Sequence, residues 1–204
     1  LTPWMYSKIK KGDIRSMRKV LQLLSVVVVG IAVALMLISP ELVLIFGSPK
    51  YREAVYVIPP VAASVFFIFI YNILSMPQFY YEKTQFLMAA SMAAAGANVV
   101  LNFIFIRLFG YIAAGYTTLA CYMLYSVGHY IVSKRILVNE GIQENLMNPG
   151  FLLACSVFLI GASIICNLIF PYRILRYAIL LASAGLVFWK KELLLKTMAD
   201  IRKK

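Results

Sequence analysis

The sequence predicts an all-α protein, a polytopic transmembrane helical bundle with six spans. The hydrophobic share is 62% and the mean hydropathy is +0.84, whereas soluble domains are roughly 45–50% apolar. A soluble fold of 204 residues cannot hide that much apolar surface. The chain also lacks segments of alternating hydrophobicity about ten residues long, so a helical bundle is favoured over a β-barrel.

Six apolar runs are predicted to cross a bilayer, which takes about 20 helical residues, and the sixth of them is short. They are predicted at residues 20–39, 54–77, 85–106, 112–132, 150–170 and 174–189. Ser39 is expected to cap a separate short helix that Pro40 begins. Pro59 and Pro60 are expected to kink or unwind the start of the second span. Arg176 is expected to snorkel to the membrane surface at the start of the last span.

Polar segments divide the chain into five parts. These are an interfacial or cytoplasmic segment (1–19), four spans (20–135), a cytoplasmic connection (136–149), two further spans (150–189) and a basic cytoplasmic tail (190–204). Residues 4–24 fit an amphipathic helix on an anionic leaflet, and a solvated loop is an equal alternative. The tail has apolar residues at helical spacing and is expected to lie on the membrane surface.

The net charge of +12 indicates membrane topology rather than nucleic-acid binding, because Lys and Arg lie between the spans and at the two ends. Six spans place both ends on one side of the membrane. That side carries 15 of the 20 Lys and Arg residues, so the positive-inside rule predicts that both ends are cytoplasmic. Because the chain begins at Leu1 in a polar segment, without a signal peptide, an upstream portion is expected.

Catalytic and metal-binding chemistry is not indicated. The chain has one histidine, its acids lie at or beyond the predicted span ends, and no nucleophile–base pair or metal-binding motif occurs. Cys121, Cys155 and Cys166 lie inside apolar runs and are expected to be small buried hydrophobic residues. We therefore expect a protein that is not an enzyme and that has no cofactor and no metal.

Uncharged polar residues inside the spans are the candidate functional residues. Asn98 and Asn102 lie one helical turn apart, and an amide in hydrocarbon must face protein or a wet cavity. Bonding between helices and lining of a transport path are both open for this pair. In the same span, Ala89, Ala93 and Ala97 recur every four residues, which predicts a close helix-packing face.

Two polar stripes each follow one helical face. They are Ser64, Tyr71, Ser75 and Gln78 in the second span, and Thr118, Tyr122, Tyr125 and His129 in the fourth. Cavity lining is one interpretation, and tyrosine packing around a histidine at the interface is the other. Hydroxyls, amides and aromatic rings suit a sugar-bearing ligand, and arginines at the span ends attract phosphate.

Several segments carry a family resemblance. They are NVVLNFIFIRLFGYIAAGYTTL, the basic run KIKKGD, the loop FGSPKYREA leading to VIPP, and YYEKTQ. The first resembles the junction of the third and fourth spans in the C-terminal half of Wzx-type polysaccharide flippases, of the multidrug/oligosaccharidyl-lipid/polysaccharide exporter superfamily. The likeness covers roughly residues 3–135. The sequence departs from the family pattern at Arg107, which replaces a proline, and in the order Ala113-Ala114-Gly115.

The resemblance implies two six-helix lobes and two extra C-terminal helices around a cavity that opens alternately to each side. This chain would be helices nine to fourteen, partnered by the N-terminal lobe of the same protein. The implied cargo is lipid-linked oligosaccharide for capsule, exopolysaccharide or O-antigen, moved across the bacterial plasma membrane. The expected path residues are Tyr71, Gln78, Asn98, Asn102, Tyr122, Tyr125 and His129, with Arg107 near the outer mouth.

Two other functions fit the same residues. A cation-coupled exporter of drugs or small molecules has the same fold, but it predicts acids inside the membrane. A self-contained six-span scaffold or membrane-enzyme subunit needs no missing lobe.

Overall fold

The structure, a computed structural model, describes residues 1–189, and its regular secondary structure there is entirely helical. Within these residues, seven α-helices and one 3-10 helix follow in order. They are α1 (Thr2–Lys10), α2 (Ile14–Phe46), the 3-10 helix (Pro49–Tyr56), α3 (Ile58–Tyr80), α4 (Gln85–Phe109), α5 (Ala113–Asn139), α6 (Pro149–Ile169) and α7 (Arg173–Trp189). The all-α fold class is confirmed for this part of the chain. The predicted basic tail, 190–204, lies outside the described residues.

In the part of the chain that the structure describes, four helices are long and apolar enough to cross a membrane: α2, α3, α4 and α6. The described part of helix α7 has 17 residues. Helix α5 is continuous over 27 residues, but tyrosine, glycine and serine interrupt its apolar sequence. The fold is therefore a helical bundle suited to a membrane, and the number of six spans stays a prediction.

Helix α2 continues through Pro40 as one helix of 33 residues, so the predicted separate helix capped by Ser39 is wrong. Proline lacks the N–H that would bond the carbonyl four residues earlier, which here belongs to Met36. The Ser39 hydroxyl donates to this carbonyl at 2.8 Å. The guanidinium of Arg176 donates to the next carbonyl, that of Leu37, at 2.7 Å. These two bonds satisfy carbonyls at the proline, and the helix can continue.

The predicted second span is also corrected at its start. Residues 49–56 form the 3-10 helix, and Pro59 and Pro60 lie in the first turn of α3. Proline is tolerated there because the first N–H groups of a helix have no partner within it. The prolines thus begin a helix instead of kinking one. Helices α4 and α5 end at Phe109 and Asn139, later than predicted.

Helix α3 lies at the centre of the bundle and packs against α2, α5 and α6. Its side chains Phe66, Ile70 and Leu74 are each at most 2% exposed. Lipid tails are as apolar as these side chains, so close van der Waals packing, rather than removal from water, holds the neighbouring helices to α3. The hydrophobic core therefore follows α3, with the other long helices around it.

Helix α4 differs from the others because none of its residues is buried. It packs chiefly on α5. The alanines Ala89, Ala93 and Ala97 are exposed, so the predicted packing face makes no close helix contact within the described chain.

The basic segment at the start of the chain contains α1, so the solvated-loop alternative is wrong for residues 2–10. The helix is amphipathic, with Trp4, Met5 and Ile9 buried. These side chains belong to the main hydrophobic core, and α1 contacts α2 and α3. The apolar face of this segment is thus occupied by the bundle itself.

The polar connections gather at the two ends of the bundle. At one end, Arg15 on α2 pairs with Glu144 at 2.9 Å, and Lys83 pairs with Glu140 at 2.8 Å. These pairs join the start of α2, the α3–α4 turn and the α5–α6 connection. We call this end, which comprises residues 1–19, 81–84 and 134–148, the basic pole.

The other end, here called the opposite pole, contains the 3-10 helix and the α4–α5 and α6–α7 turns. Tyr111 donates its hydroxyl to Glu53 at 3.1 Å, and the rings of Tyr56 and Phe170 lie 5.6 Å apart. Helices α2 to α7 therefore run alternately between the two poles. The segments that the charge count assigned to one side of the membrane lie together, as far as the structure describes them.

Gly115 allows the close approach of α5 to α3, and its replacement by alanine is expected to destabilise the bundle. A Cβ there would lie 2.8 Å from Pro60 Cγ and 2.9 Å from the Val57 carbonyl oxygen, and backbone cannot move aside cheaply. We expect a loss of about 1–3 kcal/mol in the free energy of unfolding. The control is Gly96→Ala, where nothing lies within 4 Å. Equal stability of the two variants in detergent unfolding would contradict this packing.

Candidate functional site

A buried polar pair joins α3 to α5. Gln78 and His129 are both 0% exposed, and the Gln78 amide nitrogen lies 2.7 Å from His129 Nδ1. The same amide nitrogen donates to the Leu74 carbonyl of its own helix at 3.4 Å. With this orientation of the amide, Nδ1 accepts and the imidazole proton is on Nε2. The pair lies roughly 15 Å from the end of α5 at the basic pole, at 1.5 Å per residue.

Three tyrosine rings pack around this pair. Tyr71 lies 4.7 Å from Tyr125 and 6.3 Å from Tyr122, measured between ring centroids. Tyr125 meets the imidazole edge-on at 4.5 Å, and its hydroxyl lies 2.7 Å from Ser91 Oγ on α4. Such aromatic pairs contribute about 0.5–1.5 kcal/mol beyond the area they bury. We call Tyr71, Gln78, Tyr122, Tyr125 and His129 the tyrosine–histidine cluster.

Two polar atoms of this cluster, and one on the next turn of α5, have no hydrogen-bond partner among the described residues. His129 Nε2, Gln78 Oε1 and Ser133 Oγ are buried and have no hydrogen bond to any described residue. Ser133 follows His129 by one helical turn, so both lie on one face of α5. More than nine in ten buried polar groups in proteins are paired. This face is therefore a favourable place for a water or a ligand with hydroxyl groups.

Asn98 and Asn102 form a second polar group, between α4 and α5. Asn102 donates to Asn98 at 2.9 Å and accepts a hydrogen bond from Thr117. Asn102 lies seven residues before the end of α4, roughly 10 Å from the opposite pole. The pair thus makes a bond between helices, one of the two interpretations left open by the sequence. Thr117 was missed there, because the predicted stripe passes through Thr118.

Breaking this bond is expected to give a small, measurable coupling. In a double-mutant cycle of Asn102→Leu and Thr117→Val, we expect a coupling of about 0.6 kcal/mol, and at most about 1.7, as for other hydrogen bonds between membrane helices. The control is Asn72→Leu, since that amide donates to the Ile68 carbonyl of its own helix. Unfolding of purified variants in mixed micelles measures both. A coupling of zero would contradict the contact.

The remaining predicted residues lie outside the cluster. Ser64 and Ser75 are buried, and their hydroxyls donate to the Val61 and Asn72 carbonyls of α3 itself. Arg107 is exposed in the last turn of α4, where its guanidinium lies 3.9 Å from the Phe103 ring centroid. The structure therefore brings five of the eight predicted path residues together and leaves Arg107 apart.

A buried ion pair joins α2 to α7, and the sequence pattern did not predict it. The Arg176 side chain is 4% exposed, so the prediction that it snorkels is wrong. Its two terminal nitrogens donate to the two carboxylate oxygens of Glu41, each at 2.9 Å. Tyr177 donates to the same carboxylate at 2.9 Å. A guanidinium can bond a carboxylate in two places at once, which favours pairing over exposure.

The described residues offer no metal site, and their cysteines are free thiols. No group of three His, Cys, Asp or Glu side chains able to hold a metal occurs in residues 1–189. Cys121 and Cys166 are buried and Cys155 is half-buried, all as free thiols. The prediction of buried cysteines is confirmed for two of the three.

Comparison of the chain with protein-family models, with curated proteins and with solved structures gave no match.

Proposed function

We propose that this chain is the C-terminal part of a flippase that moves lipid-linked oligosaccharide across the bacterial plasma membrane by alternating access. The starting point is the resemblance of residues 3–135 to Wzx-type flippases. The observation that carries the proposal is the tyrosine–histidine cluster, where two buried polar atoms of the cluster and the hydroxyl of the neighbouring Ser133 have no partner among the described residues. Aromatic faces beside hydrogen-bonding groups are the chemistry that binds sugar units.

The distribution of charge supports an orientation for this transporter. The basic pole would face the cytoplasm, because Lys and Arg are retained on that side of membranes. It carries nine Lys and Arg residues within the described chain, against five at the opposite pole. All of α2 to α7 would then cross the membrane, including α5 and α7.

The polar groups are distributed along the direction of transport. The tyrosine–histidine cluster lies nearer the basic pole, and Asn98 and Asn102 lie nearer the opposite pole. Arg107, at the end of α4, would lie near the outer mouth, where a guanidinium can attract a phosphate group. A carrier that opens to each side in turn needs weak polar contacts at more than one depth.

The exposed face of α4 supports the proposed partner. Its alanines Ala89, Ala93 and Ala97 are exposed, and small residues allow a neighbouring helix to approach closely. The implied partner is the rest of the exporter fold, an N-terminal lobe of the same protein, with membrane lipid around it. No nucleic acid, cofactor or catalytic role is proposed.

A cation-coupled exporter is the less favoured alternative. Such a carrier uses a carboxylate inside the membrane to hold its ion. Among the described helices α2 to α7, the acid within a helix is Glu41, and Arg176 binds both of its oxygens. A carboxylate neutralised in this way is a poor ion site, which favours an uncharged polar path.

Export by the full-length protein in its own host tests the proposal. A strain without the gene should lose surface polysaccharide, and the wild-type gene should restore it. Tyr71→Leu is expected to lower export by about tenfold at equal protein level, the effect of losing roughly 1.4 kcal/mol of binding. Tyr51→Leu is the matched control, because Tyr51 is exposed on the 3-10 helix. Normal polysaccharide in the strain without the gene would refute the function, and equal export by both variants would remove the cluster from the path.

A further inference from the structure

A second polar cavity lies at the opposite pole, between the end of α2, the 3-10 helix and the start of α7. Its volume is about 390 Å³. Three arginines line it, Arg52, Arg173 and Arg176, together with one acid, Glu41. The lining therefore has a net charge of +2. None of these residues belongs to the tyrosine–histidine cluster or to the proposed path.

The charge of this cavity is only partly compensated within the chain. Arg176 binds Glu41 through both terminal nitrogens, while Arg173 Nε is 3.9 Å from the same carboxylate, beyond hydrogen-bond distance. Arg52 makes no ion pair with any acid that the structure describes. The neighbouring Glu53 is bonded to the Tyr111 hydroxyl at 3.1 Å. Two guanidinium groups thus remain for another anion.

A buried donor in the same cavity is also without a partner. Arg176 is 3% exposed, and its Nε has no hydrogen bond to any residue in the described part of the chain. A buried guanidinium nitrogen left unpaired costs more than a neutral group would. This second observation, independent of the charge count, indicates a ligand that accepts hydrogen bonds.

The start of α7 adds to the positive potential. Arg173 and Arg176 lie in its first turn, which contains no acid. The N-terminus of a helix carries a partial positive charge, so acids are favourable there and arginines are not. An anion in the cavity would offset this arrangement as well as the excess of guanidinium charge.

We propose that this cavity is a binding site for a phosphate group. The guanidinium groups of Arg52 and Arg173, with the unpaired Arg176 Nε, match the several oxygens of a phosphate, whereas a carboxylate is satisfied by one arginine, as Glu41 is by Arg176. Val43 and Phe170 form an apolar wall beside the charges, so both the headgroup of a membrane lipid and free phosphate fit this chemistry. The site is independent of the proposed transport function.

Native mass spectrometry of the purified chain in micelles tests the site, with phosphatidic acid as the probe and diacylglycerol of the same acyl chains as the comparison. We expect phosphatidic acid to be retained and diacylglycerol lost. The double variant R52Q/R173Q should bind phosphatidic acid at least about tenfold more weakly, since two charge-assisted hydrogen bonds are removed. The matched control is K11Q/K50Q, which removes the same charge at exposed positions outside the cavity and should bind within about twofold of wild type.

Inorganic phosphate distinguishes the two sources of the ligand. A rise of the unfolding midpoint in phosphate, relative to chloride at equal ionic strength, would assign the site to free phosphate as well as lipid. Retention of phosphatidic acid without such a rise would assign it to a lipid headgroup. Circular dichroism checks that the variants are folded. We expect them to fold because the replaced side chains are exposed. The proposal is overturned if neither probe binds, or if both double variants lose binding equally.

Discussion

Replacing Arg176 with glutamine is expected to lower the free energy of unfolding by about 2–3 kcal/mol. Breaking a fully buried ion pair costs about 3–5 kcal/mol, and the Glu41 side chain keeps 21% of its exposure, which reduces the cost. The substitution also removes the donor to the Leu37 carbonyl, 2.7 Å away. Loss of this one side chain therefore weakens both the α2–α7 contact and the helix at Pro40.

Thiol labelling during thermal unfolding in detergent measures this effect. Cys121 is buried on α5, away from the ion pair, so it reports global unfolding. The matched control is Arg173→Gln, because Arg173 is 66% exposed and 3.9 Å from the same carboxylate. We expect the control to change stability by less than about 0.5 kcal/mol. Equal losses of stability in the two variants would show that the buried ion pair stabilises the bundle no more than an exposed arginine near Glu41 does.

Replacing His129 with leucine is expected to cost about 2 kcal/mol. The change leaves the amide of Gln78, which is 0% exposed, without its partner in the neighbouring helix, and an unpaired buried polar group costs about 1–3 kcal/mol. It also removes the ring contact with Phe86, whose centroid lies 5.4 Å from that of the imidazole. Unfolding in mixed micelles measures the loss.

The double variant Gln78→Leu/His129→Leu separates stability from transport. Replacing both partners by apolar groups can be nearly neutral, so we expect the double variant to be more stable than the sum of the single changes predicts. If the cluster binds the passenger, this stable variant should still lose most export. A stable double variant with full export would show that the pair only joins α3 to α5.

Local pattern predicted the cluster only in part. The 3.6-residue period places Tyr71 and Gln78 on one face of α3, and Tyr122, Tyr125 and His129 on one face of α5. That these two faces meet depends on which helices pack together, and periodicity within one helix carries no such information. Gly115 was the strongest local sign of a close α3–α5 approach, because small residues mark tight membrane-helix contacts.

The wrong prediction for Arg176 arose because its partner is far away in the sequence. Glu41 and Arg176 are separated by 135 positions, and each lies near a predicted span end, where exposure to water is the default expectation. Pro40 did not end α2 for a local reason: the Ser39 hydroxyl donates to the Met36 carbonyl that the proline leaves without its backbone partner.

Transport of the cargo itself tests the central proposal most directly. The full-length protein would be reconstituted into vesicles with lipid-linked oligosaccharide in both leaflets, and an added glycan-cleaving enzyme would report the exposed fraction. We predict that the wild-type protein makes the inner-leaflet pool accessible and that Tyr71→Leu slows this by about tenfold. If the accessible fraction stays at that of protein-free vesicles while the protein is folded, the flippase proposal is contradicted.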